Sequence, residues 1–506
     1  MKVQKTRRKR QKEAGIALLI AIFILLLIGV AAIALVVSSG TESALAGNYR
    51  SSTSVYYAAV AGLEEARSRL RSNNPNSFSN LPPGSFLPPP GTPLAVCNPV
   101  YVLNPAPGEV VTPWDSTNAY YDQQYGQEFG GVCGTTAPPS TSPNTTSVWQ
   151  NSPLSSLPFP GPPYKWVRIS AVTEQSLKLD TCPNDTSIDA TLVFYGVLSP
   201  LCPPPNPYPI PGLNDRAAGA QVLEVTALAV LPNGSEKLVQ YLVAPIALPP
   251  FSATLTMAGQ TANSVAFSAP QSNANYRING GDQDAVGSCV PGPPVDAIGV
   301  FNGVDEGNVI NGGNGGTGIP AADRPNYTGS NAAPDVNVIA SIPPTLQTPA
   351  QLEALVQGII QVADVVIPGP ATGASLPSSM YSPNPNPMTV VVNGDLDLNG
   401  WKHTGYGLLL VRGHLNYDPD ASWDGIVMVV GQGIVTGTKG GTGVFDGALL
   451  IAKTLDAGGN LLSPNFGLAT MLYGTNMGGR GMRYSSCWIQ ASQPGIRILS
   501  FHEISQ

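Results

Sequence analysis

The sequence is short of charged residues and of histidine. Asp, Glu, Lys and Arg make up 11% of its 506 residues, whereas globular domains average about a quarter. Only three histidines occur, His403, His414 and His502, so chemistry that needs several imidazoles is nearly excluded. None of the six cysteines lies in a Cys-x-x-Cys pair, which argues against a zinc site or a thiol redox centre. We therefore expect no metal and no cofactor.

Glycine and proline, by contrast, are abundant. The 55 Gly and 50 Pro form about a fifth of the chain, and apolar residues make up 42%. A chain of this length can form two or three domains with sizeable cores. The composition favours a loop-rich, β-rich protein that works outside the cytoplasm.

The few charges are distributed unevenly. Residues 1–15 carry seven Lys or Arg and one Glu, a net +6, so the rest of the chain carries −13 and the total is −7. An acidic body argues against nucleic-acid binding. The basic segment stands directly before an apolar run, and such positive flanks stay on the cytoplasmic side of a membrane. We interpret this leader as a topology signal rather than a nucleic-acid-binding arm.

The apolar run covers residues 16–37, which contain no charge. As a helix it is about 33 Å long, enough to cross a hydrocarbon layer of about 30 Å. The apolar core of a secretory signal has only about 7–15 residues, so this run is too long for one. It predicts a single transmembrane helix with a cytoplasmic N-terminus and an exported C-terminus.

Helical spacing of apolar residues continues beyond the run, until Asn-Asn-Pro at 73–75 ends it. We predict an amphipathic extension of the same helix over residues 38–73, packed on a soluble domain. A membrane anchor followed by an ordinary first helix explains these facts almost as well. The predicted apolar stripe consists of Leu45, Tyr49, Tyr56, Val60, Leu63 and Leu70.

The N-terminal residues resemble those of a known family. A basic leader, then Ala14-Gly15, then a hydrophobic helix is similar to the start of type IV pilins and pseudopilins. LAGNYR (45–50) and YYAAVAGLEEA (56–66) resemble the N-terminal motif of PilX-like pilus assembly proteins. The resemblance implies a bacterial inner-membrane protein whose partners are other pilins or pseudopilins. It also implies that a prepilin peptidase cuts after Gly15 and methylates the new amino terminus at Ile16.

One position departs from the pilin pattern. Most pilins carry Glu at the fifth mature position, where this sequence has Ile20. In pilins that carboxylate is thought to meet the amino terminus of a neighbouring subunit, and an ionised Glu in a bilayer is costly without such a partner. The departure resembles the large minor pseudopilins of fibre tips. It equally suits a protein that never enters a fibre.

The middle of the chain divides into two segments. Residues 74–163 are rich in Pro, Ser and Gly and predict loops with short strands. In residues 164–250 the strand pattern KWVRISAV is followed by two β-rich runs around Leu-Pro-Asn-Gly-Ser, which predict a hairpin. We expect an antiparallel β-meander onto which the amphipathic helix packs, so the fold class is α+β.

Residues 251–506 are predicted to form a second, β-rich domain. One helix is expected near 349–364, with Thr348 as its N-cap and Gln351 completing a capping box. β-rich runs then recur at intervals near 20 residues, and we expect YSSCWIQAS to add another. Repeats too small to bury their own faces favour a short parallel β-helix, with a β-sandwich as the alternative. The glycines of this repeat are Gly394, Gly413 and Gly431.

Acidic residues in the repeat raise the question of a cation site. DLDLNG, which begins at Asp395, starts like a calcium loop, but Tyr406 stands where the pattern requires Glu. Asp418 begins a second acidic group beside a turn. We interpret both as structural turns, with a weak cation site as the alternative. Arg412 and His414 lie near these acids, but their pattern does not indicate the acid pairs of a glycosidase, so we predict no enzyme.

Six cysteines lie on the predicted exported side, where disulfides persist. Six allow 15 pairings. Proximity in the sequence suggests Cys97 with Cys133 and Cys182 with Cys202, which leaves Cys289 with Cys487.

Two functions stay open at this point. The first is a non-enzymatic minor pilin-like subunit that initiates, caps or decorates a type IV pilus or related secretion fibre, with its body serving surface presentation or cell adhesion. The second is a single-pass envelope protein whose C-terminal domain binds or cleaves surface polysaccharide. Shortening of the chain by a prepilin peptidase distinguishes them.

Overall fold

The computed structural model describes residues 3–70, 94–158, 161–181, 188–195, 213–215, 220–246, 248–271, 275–283, 289–381, 387–437, 440–474 and 479–504. Side chains are described from residue 16 onwards, except that of Pro344. Within these ranges the α-helices are α1 (Val3–Arg69), α2 (Gln123–Cys133), α3 (Glu174–Leu177), α4 (Gly303–Asn311), α5 (Pro349–Val362) and α6 (Ser486–Ala491).

Helix α1 is continuous, as predicted, and its two halves differ in their surroundings. Every residue from 16 to 50 is exposed. Close packing begins at Val55, and Ala59 and Leu63 are fully buried. Small side chains such as Ala59 bring the helix backbone near the sheet beneath it. The N-terminal half therefore projects from the body as a rod, and the C-terminal half docks.

Six strands form the sheet beneath the docked half: β1 (Val100–Leu103), β2 (Asn144–Thr146), β3 (Tyr164–Ala171), β7 (Leu223–Val230), β8 (Glu236–Pro245) and β26 (Ile496–Ile504). Their order is β2-β1-β3-β7-β8-β26, and only the β2–β1 pair is parallel. The strand predicted from KWVRISAV is β3, and the predicted hairpin is β7 with β8. We call this unit, with α1, the antiparallel region.

Strand β26 joins the antiparallel region from a distant part of the sequence. Its residues are predicted within the 251–506 domain, whereas in the structure they pair with β8. The Phe501 ring lies 5.7 Å from that of Tyr241 and 6.2 Å from that of Tyr56 on α1. An alternating strand pattern does not reveal its partner, so the sequence did not indicate this return.

A small sheet beside this region has the order β5-β4-β6. It consists of β4 (Phe194–Tyr195), β5 (Leu213–Asn214) and β6 (Ala220–Gln221).

The remaining strands pair only in parallel in the described part of the chain. They are β9 (Ala253–Ala258), β10 (Val265–Ser268), β11 (Arg277–Asn279), β12 (Asp296–Val300), β13 (Tyr327–Thr328), β14 (Val336–Val338), β15 (Val365–Pro368), β16 (Ala371–Thr372), β17 (Met388–Asn393), β18 (Leu396–Asp397), β19 (Thr404–Val411), β20 (His414–Tyr417), β21 (Ser422–Gly431), β22 (Ile434–Gly437), β23 (Phe445–Lys453), β24 (Ala469–Leu472) and β25 (Gly481–Arg483). We call this unit the parallel region.

Successive strands of the parallel region alternate between two sheets. From β15 to β25, odd-numbered strands belong to an eleven-stranded sheet and even-numbered strands to a six-stranded one. One face of the larger sheet packs toward the smaller sheet through side chains such as Leu409 and Val427. Its other face, with Leu408 and Ile426, packs against α5. Burial on both faces explains the near-continuous apolar runs of these strands.

The number of residues between successive repeat glycines equals the number of residues between paired positions on neighbouring strands of the larger sheet. Val392 pairs with Val411, which pairs with Val429, and each of the three repeat glycines lies two residues beyond one of these valines. The Gly413 N–H donates to the Gly394 carbonyl over 2.9 Å. A Cβ at Gly413 would lie 2.5 Å from the Gly394 carbonyl carbon, so the close strand approach here requires glycine.

Helix α5 confirms its predicted start. The Gln351 N–H donates to the Thr348 hydroxyl oxygen over 3.2 Å, with Pro349 at the first helical position. The Gln351 side chain, however, accepts from the Thr348 hydroxyl rather than from its backbone N–H. The side chains of Leu352 and Ile359 are buried.

Helices α2, α3, α4 and α6 lie where the sequence indicated none. YSSCWIQAS, predicted as a strand, forms α6, because the Ser485 hydroxyl caps the Trp488 N–H and a disulfide holds Cys487 against another loop. Helix α2 lies in the segment predicted as loops. It is capped by Asp122 and ends at Gly134 in the left-handed conformation.

Candidate functional site

The exposed half of α1 carries most of the exposed large hydrophobic side chains in the described part of the chain. Among the described residues one helix, Ile16–Arg69, is long and apolar enough to cross a membrane. Ile16 and Ile20 are 62% and 53% exposed, and four residues separate them, which puts them on one face of the helix. Gly15 lies in the same helix by its backbone. Cleavage after Gly15 and methylation of Ile16 stay predictions.

Between the apolar run and the docked half, residues 38–50 of α1 are all exposed. Leu45 and Tyr49, predicted to begin the packed stripe, are 72% and 75% exposed, so the stripe prediction is wrong at its start. The reason is that the sheet extends along α1 only as far as the helical turn that follows Tyr49. Asn233, in the β7–β8 turn, donates to the Ser51 hydroxyl over 2.8 Å.

A buried polar cluster fixes the end of the docked half. The Glu65 carboxylate accepts hydrogen bonds from the Ser147 hydroxyl (2.8 Å), the Val148 N–H (2.9 Å) and the Tyr164 hydroxyl. Arg69, one turn later, donates to the Thr146 carbonyl over 3.1 Å. Burial and the Glu65 charge raise the pKa of Tyr164, so its hydroxyl stays a donor. These bonds join α1 to β2, β3 and the loop between them.

A buried arginine organises the opposite face of the antiparallel sheet. Arg168, fully buried on β3, contacts three carboxylates. Its guanidinium nitrogens lie 2.9 Å from Asp122 and 2.7 Å from Glu224, and it also pairs with Glu128. Asp122 is the N-cap of α2 and Glu128 lies within it. Arg168 therefore attaches α2 to the sheet.

The pKa values of two of these carboxyl groups are shifted in opposite directions. Burial, and then the charge of Glu128, raise the pKa of Glu224 to about 8, although Arg168 opposes the shift. The charge of Arg168 lowers the pKa of Glu128 against the effect of its burial. Arg168 thus contacts one carboxyl group with a raised pKa and one with a lowered pKa. This arrangement is structural, since Arg168 and Asp122 are fully buried and Glu224 and Glu128 are only 5% and 13% exposed.

A second polar group lies in the parallel region, partly exposed. Tyr406, Asp424, Asp446 and Arg483 stand opposite one another on adjacent strands β19, β21, β23 and β25. Arg483 donates to both oxygens of Asp446, over 2.7 and 2.5 Å. Burial, and then the charge of Asp446, raise the pKa of Asp424 to about 7. We call these four residues the acid row.

Helix α6 borders the acid row. The Trp488 ring lies 5.4 Å from that of Tyr406. Asp282 accepts from the Ser486 N–H (2.8 Å) and hydroxyl (2.5 Å). The disulfide between Cys289 and Cys487 holds the same helix. These bonds keep α6 in a fixed position beside the row.

The acids interpreted as turn residues, with a weak cation site as the alternative, accept hydrogen bonds from backbone N–H groups. Asp395 accepts from the His414 N–H over 2.8 Å, and Asp418 from the Gly400 N–H over 2.6 Å. Tyr406 belongs to the acid row, apart from both. No group of three or more His, Cys, Asp or Glu suited to a metal occurs in the ranges that the structure describes.

The remaining predicted residues do not converge on a site. His403 is an exposed loop residue stacked on Tyr381, with ring centroids 4.6 Å apart. The His414 ring contacts the Thr436 hydroxyl over 2.7 Å. Arg412 pairs with Glu353 of α5 over 2.8 Å. His502 lies in β26.

Two of the predicted disulfides are present. Cys97 is bonded to Cys133 and Cys289 to Cys487. The first joins the end of α2 to the loop before β1. Cys182 and Cys202 lie outside the described residues.

The acid row and the Arg168 cluster were missed from the sequence. A signal for the row exists: Trp-Asp-Gly at 423–425 and Phe-Asp-Gly at 445–447 are the same triplet type on neighbouring strands. For Arg168 the signal is an arginine among the apolar residues Trp166, Val167 and Ile169 of one strand. Neither pattern identifies the residues with which these side chains pair in the fold.

Comparisons with protein-family models, with curated proteins and with solved structures gave no match. The function is therefore argued from the geometry of this chain.

Proposed function

We propose that the protein is a minor pilin-like component of a type IV pilus or related secretion fibre, which initiates, caps or decorates the fibre through α1. One observation carries the proposal: a single helix has an entirely exposed apolar half and a half docked on an antiparallel sheet. The exposed half is suited first to lipid and then, after removal of the leader, to the same half of other subunits.

The docked half supports this role, because a subunit joined by its helix must not lose that helix from its body. Glu65 and Arg69 bind β2 and its neighbours through buried hydrogen bonds. Breaking a buried charged contact typically costs about 3–5 kcal/mol. A force along α1 is thus transmitted to the sheet.

Ile20 favours a position at a fibre end. The side chain is apolar and exposed, so it cannot neutralise the amino terminus of a neighbour. By the resemblance stated above, a subunit without that Glu suits initiation or capping. The basic leader favours a bacterial inner-membrane precursor with a cytoplasmic N-terminus.

We further infer that the parallel region is a short parallel β-helix used for surface presentation or adhesion. Strands that alternate between two parallel sheets at a repeat near 20 residues support this inference. A stack of such coils is a stiff platform on which turns carry variable side chains.

Co-expression with a prepilin peptidase tests the function. Intact-mass measurement should show loss of residues 1–15 and addition of a methyl group at Ile16. Gly15→Leu should abolish the cut. Gly47→Leu is the matched control, since Gly47 lies in the same helix and a Cβ there meets nothing within 4 Å. A full-length mass in the wild type would contradict the proposal.

The acid row favours a second candidate, a polysaccharide-binding or polysaccharide-cleaving ectodomain. Glycoside hydrolysis uses two neighbouring carboxyl groups, one of them with a raised pKa; Asp424 lies beside Asp446 on the adjacent strand and has its pKa raised to about 7. The test is release of reducing ends from envelope polysaccharides by the full chain. Asp424→Asn and Asp446→Asn should abolish release, whereas Asp420→Asn, in a half-buried turn outside the acid row, should not. No release by the wild type would exclude cleavage.

A further inference from the structure

The parallel region lies inside a β-hairpin of the antiparallel region. Strand β8 ends at Pro245 and β26 begins at Ile496, and these two residues are paired across the two strands. Residues 246–495 therefore form the connection between two adjacent antiparallel strands, and every strand of the parallel region lies in that connection. Hairpin strands are ordinarily joined by about 2–5 residues. Here a whole domain takes the place of the turn.

The insertion point lies at the end of α1 that is farther from its exposed half. In the β7–β8 turn Asn233 contacts Ser51, and farther along β8 the Tyr241 hydroxyl donates to the Glu64 carboxylate over 3.1 Å. Strand β8 thus runs in the same direction as α1. Residues 38–69 of α1, which follow the predicted membrane span, are about 48 Å long at 1.5 Å per residue. The parallel region begins near the far end of that length.

Two linkers connect the regions, residues 246–252 and 492–495, and we call them together the joint. Most of their described residues are buried. Ile246 and Phe251 are 9% and 8% exposed in the first linker, and Ser492 is 2% exposed in the second. Linkers between domains are usually exposed and make few contacts, so relative motion of two domains is the ordinary expectation. The packed joint departs from that pattern.

Helix α5 of the parallel region packs against the joint. Ile246 belongs to the same core cluster as Leu352 and Ile359 of α5, and α5 also contacts β26. A Cβ at Gly358 would lie 3.3 Å from the Ile246 Cδ1 and meets no other described atom within 4 Å outside its own helix. Glycine in a helix interior lowers stability. Its presence here lets α5 come close to the first linker.

We propose that α5 holds the parallel region at a fixed angle to α1, at the end of that helix farther from the membrane. Two packed linkers side by side resist swinging and twisting better than one exposed linker does. The parallel region then meets its ligand at a set height and orientation. The inference goes beyond the functions proposed above and holds for either of them, because each requires only that the exposed half of α1 is held.

Distance measurements between two spin labels, by pulsed electron paramagnetic resonance on the full chain in detergent, test the fixed angle. The labels are attached through keto amino acids, which leave the cysteines untouched, at Ser54 on α1 and at Val366 on β15, both exposed. A fixed angle predicts one narrow distance distribution. A broad distribution, or several distances, would overturn the proposal.

Gly358→Leu tests the role of α5, with Ala354→Leu as the matched control. Both variants add a large side chain to α5, but Ala354 is exposed whereas a side chain at Gly358 displaces Ile246. Gly358→Leu should lose the single narrow distribution, and Ala354→Leu should keep it. Hydrogen exchange in β19, β21 and β23 checks that the parallel region stays folded.

Ile246→Ala removes the same contact from the side of the linker, without adding volume to α5. It should broaden the distance distribution as Gly358→Leu does, while hydrogen exchange in β19, β21 and β23 stays slow. Narrow distributions in both contact variants would overturn the assigned role of α5.

Discussion

The antiparallel and parallel regions are held together in different ways. Within the described residues, the buried basic side chains Arg69, Lys165 and Arg168 all lie in the antiparallel region and pair with carboxylates. The buried acids of the parallel region instead accept from backbone and amide groups, as Asp305 does from Ser264 and Asn302. The parallel region relies on close backbone contact at glycines.

This difference in stabilising contacts matches the role that we propose for each region. The antiparallel region must hold a projecting helix, and charge pairs resist the separation of one element from another. The parallel region repeats the same distance between neighbouring strands. Close backbone contacts at glycines are therefore enough to set the pairing register of these strands. We therefore expect loss of a buried charge to lower the stability of the antiparallel region most. We expect a Cβ added at a glycine to lower the stability of the parallel region most.

The largest effect is expected for Arg168→Met. Three buried carboxyl groups would lose their shared cation, which should lower the free energy of unfolding by about 3–5 kcal/mol. Chemical denaturation of the full chain in detergent measures it. Arg483→Met in the acid row is the control, since its side chain is 38% exposed and such pairs contribute less than about 1 kcal/mol. Equal losses of unfolding free energy in Arg168→Met and Arg483→Met would contradict the comparison of the two regions.

Gly447→Ala should come next and act on the parallel region. Gly447 has a φ of +144°, and a Cβ there would lie 1.7 Å from the Gly425 carbonyl oxygen. Forcing a side chain into this conformation should cost roughly 1–3 kcal/mol. Gly303→Ala, with nothing within 4 Å of the new atom, is the control in the same denaturation experiment. Similar stability of the two variants would argue against glycine-dependent register.

The pH dependence of stability sharpens the comparison. The folded pKa of Glu224 is about 8 against a usual 4.5, so the folded state binds more protons between these values. Stability should therefore fall as pH rises from about 4.5 to 8, by at most about 1.4 kcal/mol per pH unit from this group. Glu224→Gln should flatten the profile more than Asp424→Asn, because Asp424 is partly exposed. A profile unchanged by Glu224→Gln would contradict the assigned proton.

The smallest effect concerns a local cap, which belongs to neither mechanism. Thr348→Ala should lower stability by about 1 kcal/mol, because the Gln351 N–H loses its acceptor. Thr345→Ala is a close control, since that hydroxyl has no partner. Denaturation midpoints should separate the two, and a loss at Thr345 as large as that at Thr348 would count against the cap.

Periodicity predicted much of the fold. The apolar run, the hairpin around Asn233 and the cap at Thr348 are local patterns, and the structure contains the elements they predict. The candidate sites were less predictable. Arg168 and the acid row acquire their roles from partners on distant strands, and β26 pairs across the fold. A single sequence does not carry those pairings, since each depends on which surfaces meet.

The central claim is that the exposed half of α1 leaves the membrane and joins subunits. Mass spectrometry of surface fibres sheared from cells that make the full chain tests it most directly. The account predicts that the fibre fraction contains this chain, beginning at a methylated Ile16. Recovery of the chain only from the membrane, still beginning at Met1, would contradict the account.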